Sequence, residues 1–302
     1  MTDMNERDFV GYGRSRPRPP WSDRSPLALS LVLNYEEGAE RSIQNGDATS
    51  ESYIHEICGI EAREGQRDHN TESLYDYGAR AGVWRILRLF EELGVTATIF
   101  GVGQALALNP DVGHYCAGQG FEVASHNWRW FDYANVPEDV ERDHILKSKE
   151  TIREQTGEAP VGFYCGRVSA NSRRLAIECG GLLYDSDAYD DDIPYWLELE
   201  GGERHLVIPY ALDSNDMKFS TPNGFASPVA FAEYLCAAFD ELYREGVNGH
   251  PAMLSVGLHC RVIGRPARLA ALRRFLEHVL SHDDVWICRR ADIARAYHGI
   301  EG

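Results

Sequence analysis

The sequence predicts an α/β protein in which strands and helices form a barrel. Short apolar segments alternate with amphipathic helical segments about seven times, which favours a barrel over an open sheet. No shift in composition divides the chain, and no internal repeat is present. We therefore expect an arm over residues 1–25 and a single barrel domain over residues 26–302, with an insertion at 39–80.

Eight segments are candidate strands because they are short, apolar and often β-branched, as buried parallel strands tend to be. They span residues 27–33, 96–102, 121–125, 162–164, 182–184, 206–208, 253–258 and 285–287.

Between these segments, apolar residues recur at steps of three and four, which is the spacing of a buried helix face. One face consists of Val83, Ile86, Leu87, Phe90 and Leu93, and a second consists of Leu269, Leu272, Leu276, Val279 and Leu280. A third helix is predicted to begin near residue 137, where Pro is followed by two acidic residues that favour a first turn.

Two segments do not fit the alternation. Residues 39–80 are long and polar and interrupt the first strand-to-helix connection; loops of this length are usually lids or binding loops, the alternative being a contact with another subunit. Residues 14–21 place three Arg among Pro, which suits an extended arm lying on an acidic surface, for instance of a neighbouring subunit. The alternative for this arm is a tail without a fixed position.

The charge of the chain excludes several classes of partner. There are 30 Lys and Arg against 47 Asp and Glu, which gives a formal net charge of −17. Such an acidic protein repels polyanions, so we expect no nucleic acid and no membrane among its partners. Residues 1–10 lack the apolar core of a signal peptide, and the seven cysteines form no Cys-x-x-Cys pair. These features predict reduced thiols and a cytoplasmic location.

Polar residues of catalytic type follow six of the candidate strands, directly after each strand ends. These clusters lie at residues 34–38, 125–130, 165–167, 185–187, 209–216 and 259–261. In a parallel barrel the carboxyl ends of the strands share one face, and barrel active sites are built there. The sequence therefore predicts a functional site at this face.

Three kinds of side chain in these clusters suit acid–base chemistry. A carboxylate of the pair Glu36–Glu37 can act as a general base toward water, although adjacent acids are otherwise common on surfaces. His126 and His259 each close an apolar strand, and an imidazole transfers protons near neutral pH. Arg167 can pair with an acid or stabilise an oxyanion.

The same residues argue against a metal centre. The residue four positions after His126 is Trp130, which cannot bind a metal. Glu37 and His126 supply two ligands, whereas a catalytic zinc takes three from the protein. We therefore expect neither a metal nor another cofactor, unless a third ligand comes from elsewhere in the chain.

The order of these motifs resembles the polysaccharide deacetylase-like superfamily, whose fold is an irregular (β/α) barrel of about seven strands, one fewer than a regular barrel. Within it the chain is similar to the bacterial metal-independent allantoinases, from about residue 8 to residue 298. The similar stretches are residues 33–38, 72–75, 80–85, 124–130, 184–189, 208–217 and 257–268.

The resemblance assigns roles by position. Glu36 falls on the catalytic base of the deacetylases, and His259 falls on a late histidine that acts as general acid. Glu37 and His126 fall on two of the three metal ligands, and Trp130 replaces the third, which implies that the metal has been lost. Residues 168–171 read Val-Ser-Ala-Asn where the resemblance predicts Thr-Ser-Pro-Asn, a difference that bears on substrate preference.

The activity implied is hydrolysis of the hydantoin ring of allantoin to allantoate, a step of purine catabolism. His126 and Arg167 are expected to stabilise the developing negative charge. The expected contacts of this small ureide substrate are Asn34, Tyr35, Glu37, Trp128, Trp130, Ser214 and Asn215. By the same resemblance the expected partner is another copy of the chain, in a homotetramer.

Two other functions remain open at this point. The first is a metal-dependent hydrolase of the same fold that acts on cyclic imides or N-acetylated sugars; it requires a bound ion, which elemental analysis would detect. The second is a barrel that binds a ureide or sugar without turnover. Loss of one metal ligand favours that second function, but competent residues at the base and acid positions argue against it.

Overall fold

The structure is a computed structural model that describes residues 7–199 and 201–300. Over these residues the chain forms a single sheet of nine strands, with helices packed on its outer side. The strands are β1 (Leu27–Tyr35), β2 (Thr98–Gly101), β3 (Glu122–Ser125), β4 (Gly162–Phe163), β5 (Tyr184–Asp185), β6 (Tyr195–Glu198), β7 (Arg204–Val207), β8 (Ala252–His259) and β9 (Trp286–Ile287). All eight candidate strands are therefore confirmed.

The described residues also form ten α-helices. They are α1 (His69–Tyr77), α2 (Val83–Leu93), α3 (Gly103–Leu108), α4 (Pro110–Gly118), α5 (Glu138–Thr156), α6 (Ser172–Glu178), α7 (Pro228–Val247), α8 (Cys260–Ile263), α9 (Pro266–Val279) and α10 (Arg290–His298). The predicted apolar faces of α2 and α9 pack against the largest apolar cluster, although Leu93 and Leu269 are only partly buried. Leu280 lies just beyond α9 and is exposed. The predicted start of α5 at Pro137 is confirmed.

The sheet is an irregular barrel that stays open on one side. Its strand order is β6-β7-β5-β4-β3-β2-β1-β8, and β9 pairs with β1 beside β2. All pairings are parallel except that of β6 with β7. Strand β6 was not predicted from the sequence, because its half-exposed residues lack the apolar pattern of a buried strand. A single parallel bridge between Asn215 and Gly257 continues the sheet past β8 toward the open side.

The alternation along β1 separates the site from the helical core. Leu29, Leu31, Leu33 and Tyr35 join the largest apolar cluster, with the helices outside the sheet. The residues between them point into the barrel: Ser30 contacts Arg290, Val32 packs against Phe100 and Tyr210, and Asn34 bonds Tyr210. A strand with period two therefore places Glu36 on the inner side as well.

The predicted insertion is partly irregular and partly helical. Residues 39–68 contain one short 3-10 helix (Ile43–Asn45) and an antiparallel bridge between Thr49 and Glu64. From His69 the chain is helical, and α1 continues into α2 through a π-helical turn at Gly78–Gly82. A Cβ atom at Gly78 would overlap the Glu37 carboxylate, so the glycine permits the turn to approach the site.

The arm lies on an acidic surface of its own chain. Arg16 Nη2 is 3.1 Å from Asp191 Oδ1, and Trp21 packs against Trp286 in a small apolar cluster. Only residues 15–19 of the predicted extended segment are free of turns and helix, whereas residues 9–14 and 20–24 form bends and turns; residues 1–6 lie outside the described residues. All seven cysteines are unpaired in this part of the chain. No helix in the described ranges combines the length and apolarity that a membrane span requires.

Candidate active site

Three ionisable side chains meet at the carboxyl end of the barrel. Glu36 Oε1 lies 3.5 Å from His126 Nε2 and 3.5 Å from His259 Nε2. Parallel pairing explains why they meet, because Asn34 at the end of β1 is opposite His259 at the end of β8. His126 directly follows β3, two strands away on the other side. The predicted base, its acid partner and His126 are therefore brought together.

Asp216 holds the predicted acid His259 in place. Asp216 Oδ1 is 2.6 Å from His259 Nδ1, and Asp216 Oδ2 accepts hydrogen bonds from the backbone N–H groups of His259 and Ile263. Burial lowers the pKa of His259, but the charges of Glu36 and Asp216 outweigh burial and raise it above its ordinary value. The imidazole is thus oriented with Nε2 toward Glu36, and the two neighbouring carboxylates favour its protonated form.

Arg261 lies on the far side of Glu36. Its Nη1 atom donates to Glu36 Oε2 at 2.7 Å, and both side chains are buried. Burial raises the pKa of Glu36, but the charges of His259 and Arg261 and the hydrogen bond from His126 outweigh it and hold the pKa well below the usual range. Glu36 is therefore ionised at neutral pH.

Glu37 lies behind Glu36 and differs from it electrostatically. Its Oε2 atom accepts from the Glu36 backbone N–H at 2.9 Å, and its Oε1 atom is 3.9 Å from Arg261 Nη1. Burial raises the pKa of Glu37 to about 7, because the charge of Arg261 is too weak to offset the desolvation and the nearby charge of Glu36. We call Glu36, Glu37, His126, His259 and Arg261 the site cluster.

A small cavity of about 150 Å³ opens onto the site cluster. Its walls include Tyr164 and Tyr210 from the barrel, and its roof includes Tyr53 and Ile54 from the insertion. Ile54 has a positive φ of 49°, an unfavourable backbone conformation for a β-branched residue. The insertion therefore covers the site, as expected for a lid or binding loop.

Tyr210 presents a hydroxyl group to this cavity. Its Oη atom accepts hydrogen bonds from Asn34 Nδ2 at 3.0 Å and from Asn215 Nδ2 at 3.2 Å. Because both amides donate, the Tyr210 hydroxyl hydrogen is left to point elsewhere. A substrate carbonyl in the cavity can accept it.

Arg167 lines the cavity but is not beside Glu36 or Glu37; its Nη2 atom lies 3.8 Å from Glu51 Oε2. It donates to the Trp130 carbonyl at 2.8 Å, and its guanidinium stacks over the rings of Trp130 and Tyr53 at 4.5 and 5.2 Å. It is placed to bind a polar substrate group but makes no contact with Glu36.

The predicted substrate contacts divide into two groups. Asn34, Trp130 and Asn215 line the cavity, together with the catalytic candidates Glu36, His126, Arg167 and His259. The other four expected contacts are not among the described residues that line the cavity: Tyr35, Glu37, Trp128 and Ser214.

Each of these four side chains has another environment. Tyr35 points into the helical core by strand alternation, and Glu37 lies behind Glu36. Trp128 packs against Gly103 and lies beneath the ammonium group of Lys147. Ser214 donates to the Ser255 carbonyl at 2.5 Å. Their expected contact with substrate is not supported by this geometry.

Three residues that complete the site were not predicted from the sequence: Asp216, Arg261 and Tyr210. Each lies in one of the polar clusters that follow the candidate strands: Tyr210 and Asp216 in residues 209–216, and Arg261 in residues 259–261. The available signal was the spacing: Arg261 is two residues after His259, and Asp216 follows Asn215. Only the folded structure brings Asp216 to His259, 43 positions away.

The side chains at the expected metal position do not fit a metal ion. In residues 7–199 and 201–300, no group of three or more His, Cys, Asp or Glu is arranged to hold one. Trp130, which the resemblance puts in place of the third ligand, has no metal-binding atom, and the Arg261 guanidinium already lies beside Glu36 and Glu37. A second cation at this point would be repelled by the first.

Known proteins share this architecture. Residues 65–180 match a family model described as polysaccharide deacetylase. A protein of Schizosaccharomyces pombe, provisionally named a polysaccharide deacetylase, is 39% identical over 309 residues and 96% of each chain is covered.

Two solved structures are similar over nearly the whole chain. PuuE allantoinase is 51% identical with a TM-score of 0.94, and 97% of each chain is covered. A Pseudomonas aeruginosa PAO1 protein, provisionally named a polysaccharide deacetylase, is 50% identical with a TM-score of 0.94, covering 97% of this chain and 98% of the other. These relatives confirm the resemblance that the motifs indicated.

Proposed function

This chain belongs to the polysaccharide deacetylase family and is a hydrolase, and we propose that it opens the hydantoin ring of allantoin to give allantoate without a metal. The observation that carries the proposal is the contact of Glu36 with both His126 and His259 in a small, roofed cavity. The similarity to a solved allantoinase supports the same substrate.

The proposed mechanism begins with a water molecule beside Glu36. Glu36 Oε1 accepts a proton from this water as its oxygen attacks the ring carbonyl carbon. Oxyanion stabilisation comes from donors at the cavity, His126 Nε2 and the Tyr210 hydroxyl, each worth about 3 kcal/mol by comparison with other oxyanion-hole donors. His259 Nε2 then gives its proton to the ring nitrogen, and the carbon–nitrogen bond breaks.

The size of the cavity favours a small heterocycle over a polysaccharide. At about 150 Å³ it lies below the roughly 300–1,000 Å³ of pockets for drug-sized ligands. A polymer needs an open groove on either side of the reacting group, whereas Tyr53, Ile54 and Arg167 close this cavity toward the insertion. A flat ring rich in donors and acceptors suits the polar and aromatic walls.

Two further features belong to the proposal. The proposed substrate places the protein in purine catabolism. We also expect a cytoplasmic location, since its cysteines are unpaired in the described part of the chain. We also expect a homotetramer, by resemblance to the allantoinases. Light scattering on a size-exclusion column tests this state: a mass of four chains supports it, and a monomer contradicts it.

The test of the activity is allantoate production by protein treated with a chelator and dialysed. Full activity on racemic allantoin, unchanged by added zinc, supports the proposal. Activity that appears only with zinc contradicts metal independence. Cyclic imides and N-acetylated sugar oligomers serve as parallel substrates, and turnover of these in place of allantoin identifies the other hydrolase functions. Turnover of none, with binding of allantoin, indicates a barrel that only binds.

The base is tested with Glu36→Gln, which keeps the shape of the side chain. We expect kcat to fall about 10²- to 10⁴-fold, because an amide cannot accept the proton. Glu40→Gln is a matched control: Glu40 is also buried, but it bonds Gly38 N–H and does not line the cavity. Near wild-type turnover in Glu36→Gln, with the fold intact by circular dichroism, would make the base assignment wrong.

A further inference from the structure

Arg261 is a buried cation within the site cluster that does not line the cavity. It follows β8 directly, on the short helix α8, and is 3% exposed. Its Nη1 atom bonds Glu36 Oε2 at 2.7 Å and lies 3.9 Å from Glu37 Oε1. One guanidinium thus serves both members of the acidic pair.

Two aromatic rings hold this guanidinium. The ring of Tyr75 lies 4.3 Å from it and the ring of Trp130 lies 4.8 Å from it. Aromatic faces attract a cation, most strongly when both are removed from water. Trp130, the residue that replaces a metal ligand, is therefore in contact with the positive charge.

The hydrogen bonding of the guanidinium is incomplete for so buried a group. Among the described residues, Arg261 Nε and Nη2 have no hydrogen-bond partner, and neither has Glu37 Oε1. A buried arginine chosen only for stability would be expected to satisfy its donors, since each unpaired one is unfavourable. Its position is better explained by the charges it faces than by the bonds it makes.

We propose that the guanidinium of Arg261 takes the place of the metal ion that the deacetylase family implies, holding Glu36 in position and balancing the charge of the Glu36–Glu37 pair. The donor set at this point does not fit a metal, as shown above, and the guanidinium supplies a fixed positive charge beside the same carboxylates. Arg261 acts through Glu36 and is thus a positioning residue.

Metal binding tests this inference without reference to any substrate. Trp130→His introduces an imidazole at the third ligand position, and a second change, Arg261→Ala, removes the guanidinium. We expect dialysed Trp130→His protein to bind Zn²⁺ weakly, and Trp130→His/Arg261→Ala to bind it about 100-fold more tightly by calorimetry, with a tetrahedral Co²⁺ spectrum. Trp130→His/Arg265→Ala is the control, because Arg265 stacks on Tyr77 outside the site cluster.

Two results of this test overturn the inference. One is tight Zn²⁺ binding by Trp130→His alone, which shows that the guanidinium leaves room for the ion. The other is equally weak binding by Trp130→His and by the folded double variant, which shows that the guanidinium is not what excludes it.

A second measurement remains decisive if the double variant does not fold. It uses the proposed hydrolysis and compares Arg261→Lys, which keeps a positive charge, with Arg261→Gln, which does not. We expect Arg261→Gln to lower kcat about 100-fold with KM within about twofold, because Arg261 does not line the cavity. Arg261→Lys should recover kcat to within about tenfold of wild type.

Equal loss in both variants, or a loss confined to KM, overturns the inference. If the wild-type protein hydrolyses neither allantoin nor the parallel substrates, the proposed function fails, and the Zn²⁺ comparison still decides the role of Arg261.

Discussion

Arg290 and Arg261 are both buried arginines, but their surroundings differ. The Arg290 guanidinium donates to Ser186, Ser255 and Ser30 and to the carbonyls of residues 208 and 209, at 2.5 to 3.3 Å. All of these acceptors are neutral, and each nitrogen of the group has a partner. We call Arg290 and these acceptors the floor cluster. Arg261, in contrast, donates to one carboxylate, and two of its nitrogens have no partner in the part of the chain that the structure describes.

The comparison separates stability from function in one barrel. Arg290 does not line the cavity, but its guanidinium lies within 6 Å of the rings of Phe100 and Tyr210, and Tyr210 is a wall of the cavity. Through its hydrogen bonds, Arg290 connects β1, the segment after β5, the segment after β7 and β8, and none of its acceptors is a carboxylate. The site cluster gathers two carboxylates, two imidazoles and one guanidinium with several unpaired atoms. We infer that the floor gains stability from complete bonding, whereas the site gives up stability for reactivity.

The largest effect is expected in the site, from Asp216→Asn. The asparagine removes the charge that orients and protonates His259, so kcat should fall about 10³-fold, or about 4 kcal/mol of barrier, with little change in KM. Steady-state kinetics measure this. Asp213→Asn is the matched control. Asp213 lies three positions before Asp216, but it accepts a hydrogen bond from the exposed Tyr234 hydroxyl and does not contact His259. Equal kinetics in the two variants would remove Asp216 from the mechanism.

The next effect is on stability and is expected in the floor. Arg290→Met keeps much of the side-chain length but leaves buried carbonyl and hydroxyl acceptors without donors, so the free energy of unfolding should fall by about 3 kcal/mol. Urea denaturation measures it. The neighbouring Arg289→Met should lower it by about 1 kcal/mol, since Arg289 is one-third exposed and pairs with Asp292 at the start of α10. If both variants lose the same amount, the floor cluster is not a special source of stability.

A third, smaller effect has the opposite sign. The pKa of Glu37 is raised by burial from 4.5 to about 7, so the folded state binds a proton that the unfolded state releases between these values. Stability is therefore lost as pH rises from 4.5 to 7. Glu37→Gln removes this penalty and should raise the unfolding free energy by on the order of 2 kcal/mol at pH 8, with little change at pH 4. A gain that is equal at both pH values would show that the ionisation of Glu37 is not responsible.

Much of this arrangement could be predicted from the sequence because it depends on local periodicity. The strands are short and apolar, and each is followed by polar residues, so the face that carries Glu36, His126 and His259 was predictable. The same alternation excludes Tyr35 from the cavity. Tyr35 is next to Asn34 on β1, and neighbouring side chains on a strand point to opposite sides.

The remaining features depend on contacts between distant segments. Asp216 reaches His259, 43 positions away, and Arg290 reaches Ser30, 260 positions away, only when the strands assemble into the curved sheet. β6 pairs antiparallel at the edge with half-exposed residues, so no pattern of burial marks it. Which of several arginines faces the carboxylates is likewise set by tertiary contacts: Arg167 was chosen by its position after a strand, but the folded chain brings Arg261 to Glu36.

The smallest effect is expected in the roof of the site, where Ile54 has a φ of 49°. A β-branched residue is strained in this conformation, and strain persists where function requires the side chain. Ile54→Gly relieves the strain, but it also removes a partly buried side chain that packs against the apolar core and gives the unfolded chain more freedom. These losses offset the relief, so the net change in unfolding free energy should be within about 0.5 kcal/mol of zero. Ile57→Gly, at an exposed neighbour without positive φ, should lower it by about 0.5–1 kcal/mol. Because Ile54 lines the cavity, its variant should also raise KM several-fold while Ile57→Gly does not. Equal destabilisation by the two variants, with KM unchanged, would mean that Ile54 stores no strain and does not contact substrate. The difference between the floor cluster and the site would then be confined to their charged residues.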